Sequence, residues 1–66
     1  KNRNMNGVYL AAYGISEYSY LLIAAKSETE AYDIAREHAD YVDFDSVRAL
    51  DNVVTHLEHC VIEEIT

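Results

Sequence analysis

Near the end of the chain, His56-Leu57-Glu58-His59-Cys60 gathers two imidazoles, a carboxylate and a thiol within five residues. On a continuous helix His56 and Cys60 would share a face, and His38 or Glu63 could complete a tetrahedral zinc shell. The same thiol beside His56 or His59 is formally a nucleophile and its base. Little else supports either chemistry. The chain has a single cysteine and no paired metal motif, and its two glycines, Gly7 and Gly14, stand apart rather than in a phosphate loop. A thiol opening an apolar strand serves as a small hydrophobe, and His38, on an apolar helix stripe, reads as a buried, hydrogen-bonded side chain. The expectation is a protein with no catalytic residue, no metal and no cofactor.

Charge is the stronger pattern. Twelve Asp and Glu oppose five Lys and Arg, for a net charge of −7. Lys1 and Arg3 precede Met5, and residues 1–4 read as an added tail or a loose extension. Without them only Lys26, Arg36 and Arg48 face the same acids, which excludes direct nucleic-acid binding and attraction to anionic membranes. Glu30, Asp33, Glu37 and Asp40 recur at spacings of three, four and three, and Asp43 and Asp45 extend the row. On a helix the first four fall within about 80° of the circumference. Such a row can imitate the charge spacing of a nucleic-acid backbone and attract a basic partner. The plainer reading is a solvated helix face whose first acids favour the helix dipole.

These groups need elements to hold them. Residues 8–13 alternate as a strand, with Val8, Leu10 and Ala12 on one side and Tyr9, Ala11 and Tyr13 on the other. Gly14 begins a turn, and 18–25 returns as a second strand, completing a hairpin. Ser27 and Glu30 form a capping box. The helix that follows carries Ala31, Ile34, Ala35, His38 and Val42 on one stripe and should run to about Tyr41. Val47, Leu50, Val54 and Leu57 repeat at helical spacing and predict a second helix over 46–58. A short strand over 47–50 is the competing reading, because the β-branched run Val53-Val54-Thr55 disfavours helix. Residues 60–65 close the chain as a strand. The expected fold is α+β, a three-stranded, mostly antiparallel sheet with one or two helices on one face, in the order ββααβ.

If Val8, Leu10 and Ala12 join Leu21, Ile23 and Ala25 beneath the helices, then Tyr9, Tyr13, Tyr18 and Tyr20 share the opposite face. Tyrosine is favoured at interfaces, where its ring buries area and its hydroxyl tolerates water. It also has high strand propensity and sits well on half-solvated sheets. Sixty-six residues make a single small domain with a thin core, 1–6 being its loosest part, so a second subunit is a natural supplement. The lone cysteine and the absence of a long apolar run point to a cytoplasmic protein.

The stretch Tyr20-Leu21-Leu22-Ile23-Ala24-Ala25-Lys26-Ser27-Glu28-Thr29-Glu30-Ala31-Tyr32-Asp33-Ile34-Ala35 resembles a strand–cap–helix join of small acidic phage and prophage accessory proteins, some anti-CRISPR proteins among them. That resemblance implies an inhibitor occluding a host nuclease or other nucleic-acid enzyme, and it carries over no binding residue. The expected function is a non-catalytic acidic module binding a basic host protein through Glu30, Asp33, Glu37, Asp40, Asp43 and Asp45, with Tyr9, Tyr13, Tyr18 and Tyr20 as anchors. The alternative is a homodimer joined through the tyrosine face.

Overall fold

A computed structural model describes residues 5–66 as an antiparallel four-stranded sheet with one helix across one face. The reading of residues 1–4 as an extension lies outside the described residues. In chain order the elements are β1 (Asn6–Tyr13), β2 (Ser19–Ala25), α1 (Glu28–His38), a 3₁₀ turn (Phe44–Ser46), β3 (Arg48–Thr55) and β4 (Cys60–Ile65). The strands lie in the order β3-β1-β2-β4. The α+β class therefore stands, but the sheet has four strands and the order is ββαββ.

The hairpin forms where its alternation and Gly14 place it, with Tyr13 paired to Ser19, Leu10 to Leu22 and Gly7 to Ala25. Gly14 has φ +129°, and a Cβ there would collide with the Glu17 carbonyl oxygen, so only glycine fits the turn. Ser27 caps α1 by accepting from the Glu30 amide at 3.1 Å, and Glu30 Oε1 accepts from the Lys26 amide at 2.7 Å. The helix stops earlier than its stripe predicts. Ala39 turns extended, donating its amide to the Ala35 carbonyl at 2.9 Å, and Tyr41 follows at φ +59°.

Two expectations are corrected. The second helix over 46–58 is replaced by the 3₁₀ turn and β3. Val47, Leu50, Val54 and Leu57 imitate helical spacing because β3 is irregular. Its register against β1 shifts between Gly7 and Tyr9, and Asn52 sits at φ +61°. A bulge of that kind breaks the period of two that would have marked a strand. The β-branched Val53-Val54-Thr55 then decides the matter for strand.

The phase of β1 is also opposite to expectation. Tyr9 pairs with Ile23 and Ala11 with Leu21, so Tyr9, Ala11 and Tyr13 lie on the helix side with Leu21, Ile23 and Ala25. Val8, Leu10 and Ala12 lie on the other. Both sets are apolar, so alternation alone cannot choose. The helix meets the sheet through Ala31 and Ala35, in one cluster with Ala11, Leu21, Ile23, Ala25 and Val47. Tyr9 and Tyr13 flank Ala11 in sequence and pack against that cluster. Small residues beneath the helix let its backbone come close while the rings fill its sides.

β3 and β4 occupy opposite edges, yet only residues 56–59 join them. Thr55 pairs with Asn6 and Cys60 with Ala24, so the connection passes across the open end of the hairpin. Asn6, 4% exposed, donates from Nδ2 to the Leu57 carbonyl at 2.6 Å and holds that crossing in place. Asn6→Ala should lower stability by about 1–3 kcal/mol, the usual cost of removing one partner of a buried hydrogen bond. Urea unfolding monitored by circular dichroism measures it, and an unchanged midpoint would show that the crossing needs no tie.

Candidate protein-binding surfaces

The acidic residues do not form one row. Glu30 Oε2 sits 2.8 Å from His59 Nδ1 while its other oxygen accepts from the Lys26 amide ahead of the α1 cap, so this carboxylate is committed to the fold. Asp33 and Glu37 are exposed on the helix. Asp40, Asp43 and Asp45 follow after the helix has ended, in the α1–β3 connection. Asp43 Oδ1 accepts from the Asp45 amide at 3.0 Å and caps the 3₁₀ turn. Ser46 Oγ donates to the Asp43 carbonyl at 2.7 Å and accepts from the Ala12 amide at 2.8 Å, fixing the turn to β1.

That connection holds the aromatic residues that the strand pattern did not single out. Tyr41 is 67% exposed and Phe44 53% exposed, alternating with Asp40, Asp43 and Asp45. Phe44 meets Tyr32 of α1 edge to face, with ring centroids 4.9 Å apart, and the Arg36 guanidinium lies 5.5 Å from the centre of the Tyr32 ring. Tyr32, Arg36, Ala39, Asp40, Tyr41 and Val42 line a shallow hollow. Tyr41 holds a left-handed backbone that a bulky residue rarely adopts. The Gly14 amide bonds its carbonyl at 3.1 Å, and the Asp43 amide bonds the Ala12 carbonyl at 2.9 Å, so the neighbouring strand enforces it. The signal in the sequence was the run Asp40-Tyr41-Val42-Asp43-Phe44-Asp45, which puts large rings where the chain must leave a helix.

The expected tyrosine face divides in two. Tyr18 and Tyr20, 55% and 40% exposed, lie on the uncovered sheet side with Leu10 and Arg48, beside Asp43 and Asp45. Tyr9 and Tyr13 pack on the helix side. There the Tyr13 hydroxyl donates to Glu64 Oε2, and Glu64 Oε1 lies 3.5 Å from His38 Nε2. His38 is thus a half-exposed partner of β4 and not the buried histidine that the helix stripe predicts. His56 and Cys60 share no helical face, because residues 56–59 form a connection and Cys60 opens β4. Among the described residues no three His, Cys, Asp or Glu side chains gather to hold a metal ion, and no helix is long and apolar enough to cross a membrane.

The Tyr13–Glu64–His38 chain shapes two titrations. The hydrogen bond from Tyr13, and after it the one from His38, hold the Glu64 carboxyl below its ordinary value. The bond to Glu64, with some desolvation, holds the Tyr13 hydroxyl above its ordinary value. A depressed carboxylate contributes stability that is present above its unfolded pKa, about 4.3, and lost as pH falls through the folded value. A raised phenol contributes stability that is present below about 10 and lost as pH rises through the folded value. Comparing melting temperatures of the parent and Glu64→Gln across pH should show the difference largest near neutrality and shrinking at both extremes. A difference that does not vary with pH would remove this chain from the stability of the sheet.

No family model matches the chain, and no curated protein and no solved structure matches it either.

Proposed function

We propose that this chain is a non-catalytic acidic protein-binding module whose contact site is the α1–β3 connection and the adjoining face of α1. One observation carries the reading: Tyr41 is held exposed, in a left-handed backbone, among Asp40, Asp43 and Asp45. A bulky residue in such a conformation costs on the order of 1–3 kcal/mol; the bonds to Gly14 and Ala12 impose it, and strain of this kind clusters at contact sites. Exposed rings beside carboxylates suit an Arg- or Lys-bearing surface, because a guanidinium can stack on a ring while pairing with an acid. Asp33 and Glu37, nearby on α1, add long-range attraction that salt screens.

The partner is then a basic protein. The narrower reading is a phage-type inhibitor that covers the nucleic-acid-binding surface of a host enzyme such as a CRISPR nuclease. It draws on the acidity of the chain and on the resemblance of residues 20–35. The commitment of Glu30 and Asp43 to local hydrogen bonds favours a compact acidic–aromatic contact over imitation of a long phosphate row.

The test is capture of basic proteins from a bacterial lysate on the immobilised chain, with and without competing DNA. Tyr41→Asn should keep or raise the melting temperature, since Asn tolerates the left-handed region, while cutting retention of the captured protein at least tenfold. Asp40→Lys with Asp45→Lys should do the same and leave the cap at Asp43 intact. Displacement by DNA would support the nucleic-acid-enzyme reading. Retention unaffected by either variant would overturn the site.

A further inference from the structure

The sheet face away from α1 carries a charge pattern that matches itself. Arg48 pairs with Leu10, Leu10 with Leu22 and Leu22 with Glu63, so one row crosses all four strands as Arg48–Leu10–Leu22–Glu63. Its two ends bear opposite charges and its middle is leucine. The next row runs Ala12–Tyr20–Ile65, a small residue beside two large exposed ones. Among the described residues neither Arg48 nor Glu63 has an ion-pair partner within 4.0 Å.

We infer that this face docks a second copy of the same chain, face to face, about a two-fold axis parallel to the strands and passing between β1 and β2. That operation reverses each row over itself. Arg48 of each copy then meets Glu63 of the other at both ends, and Leu10 meets Leu22 at the centre. Tyr20 of each copy falls over Ala12 of the other, so a large side chain faces a small one. A two-fold contact must be self-complementary in this way. Charge complementarity along the row selects the occupant: a purely basic partner would find Arg48 opposed and a purely acidic one Glu63 opposed, while Asp43 and Asp45 line the hollow beside Arg48 at the margin of the row. Each copy would keep its helix, Tyr41 and Phe44 on the outside, with Asp43 and Asp45 at the margin of the contact, and sedimentation reads self-association alone, apart from any captured partner.

Four strands at about 4.8 Å spacing make a modest patch, at the low end of specific interfaces, so dissociation should fall in the micromolar range. Sedimentation equilibrium of the whole chain over that range should show a monomer–dimer transition. Arg48→Glu alone and Glu63→Arg alone should each weaken the dimer at least tenfold, because each places like charges at both ends of the row. An equimolar mixture of the two variants should restore it, since every end then pairs Arg with Glu again, and the double variant should dimerise for the same reason. Recovery on mixing is a result that a purely structural role for either residue could not produce. A parent chain that stays monomeric at all concentrations would overturn the inference without any variant. So would a dimer indifferent to both single changes, or singles that the mixture fails to rescue.

Discussion

The sheet depends on a crossing that is barely long enough. Thr55 ends one edge strand and Cys60 begins the other, with β1 and β2 between them. Three strand spacings come to about 14 Å, and five peptide units fully extended reach about 17 Å. Residues 56–59 must therefore stay close to extended between the bends at His56 and His59, and all four are exposed. Asn6 takes up the Leu57 carbonyl from one side, and Glu30 holds His59 from the other. The φ of +43° at His59 lies where the taut segment turns into β4. Glu30 thus ties three elements at once: its own helix start, the end of β2 through the Lys26 amide, and the entry to β4.

With β4 held at the far edge, one short helix has a wide sheet to cover. It sits over the middle, on alanines, and Leu21 and Ile23 are the largest side chains to be fully buried. A core of that size leaves the outer strands underpacked, so contacts at the margin gain weight. Tyr9 and Tyr13 extend the apolar layer beyond the helix, and the Tyr13–Glu64–His38 chain closes its β4 side with hydrogen bonds. The uncovered face receives nothing equivalent over Tyr18, Tyr20 and Ile65.

The parts of this arrangement that depend on local chemistry were legible in the sequence, and the parts that depend on competition between distant segments were not. Gly14 and the flanking alternation marked the hairpin, Ser27 and Glu30 marked the helix start, and 60–65 read as a strand. The phase of β1 was hidden because Val8, Leu10 and Ala12 are as apolar as Tyr9, Ala11 and Tyr13, and only the helix's need for Ala11 beneath it decides between them. β3 was hidden because its bulge converts alternation into a spacing of three and four. The candidate site was legible as composition and not as geometry: acids and rings were visible, but Tyr9 and Tyr13 belong to the core. Glu30 and Asp43 belong to caps, and Tyr41 and Phe44 became candidates only once the helix was seen to end at His38.

The distribution of charge separates the two faces more sharply than their shapes do. A net charge of −7 on so small a chain opposes any association of copies. Along the central row that repulsion is offset, because Arg48 of one copy would meet Glu63 of the other, and Asp43 and Asp45 stand at the margin of that face. The exposed acids Asp33, Glu37 and Asp40 lie on α1 or directly after it. Two chains stacked sheet to sheet would place those groups on opposite outer surfaces, separated by two sheets and two helices. At physiological salt, charges that far apart lie well beyond a Debye length of about 8 Å. Pairing through the sheet therefore removes apolar area from water at little electrostatic cost. It also leaves Tyr41, Phe44 and the acids of α1 facing outward, where a basic partner could reach them, with Asp43 and Asp45 at the margin between the two surfaces.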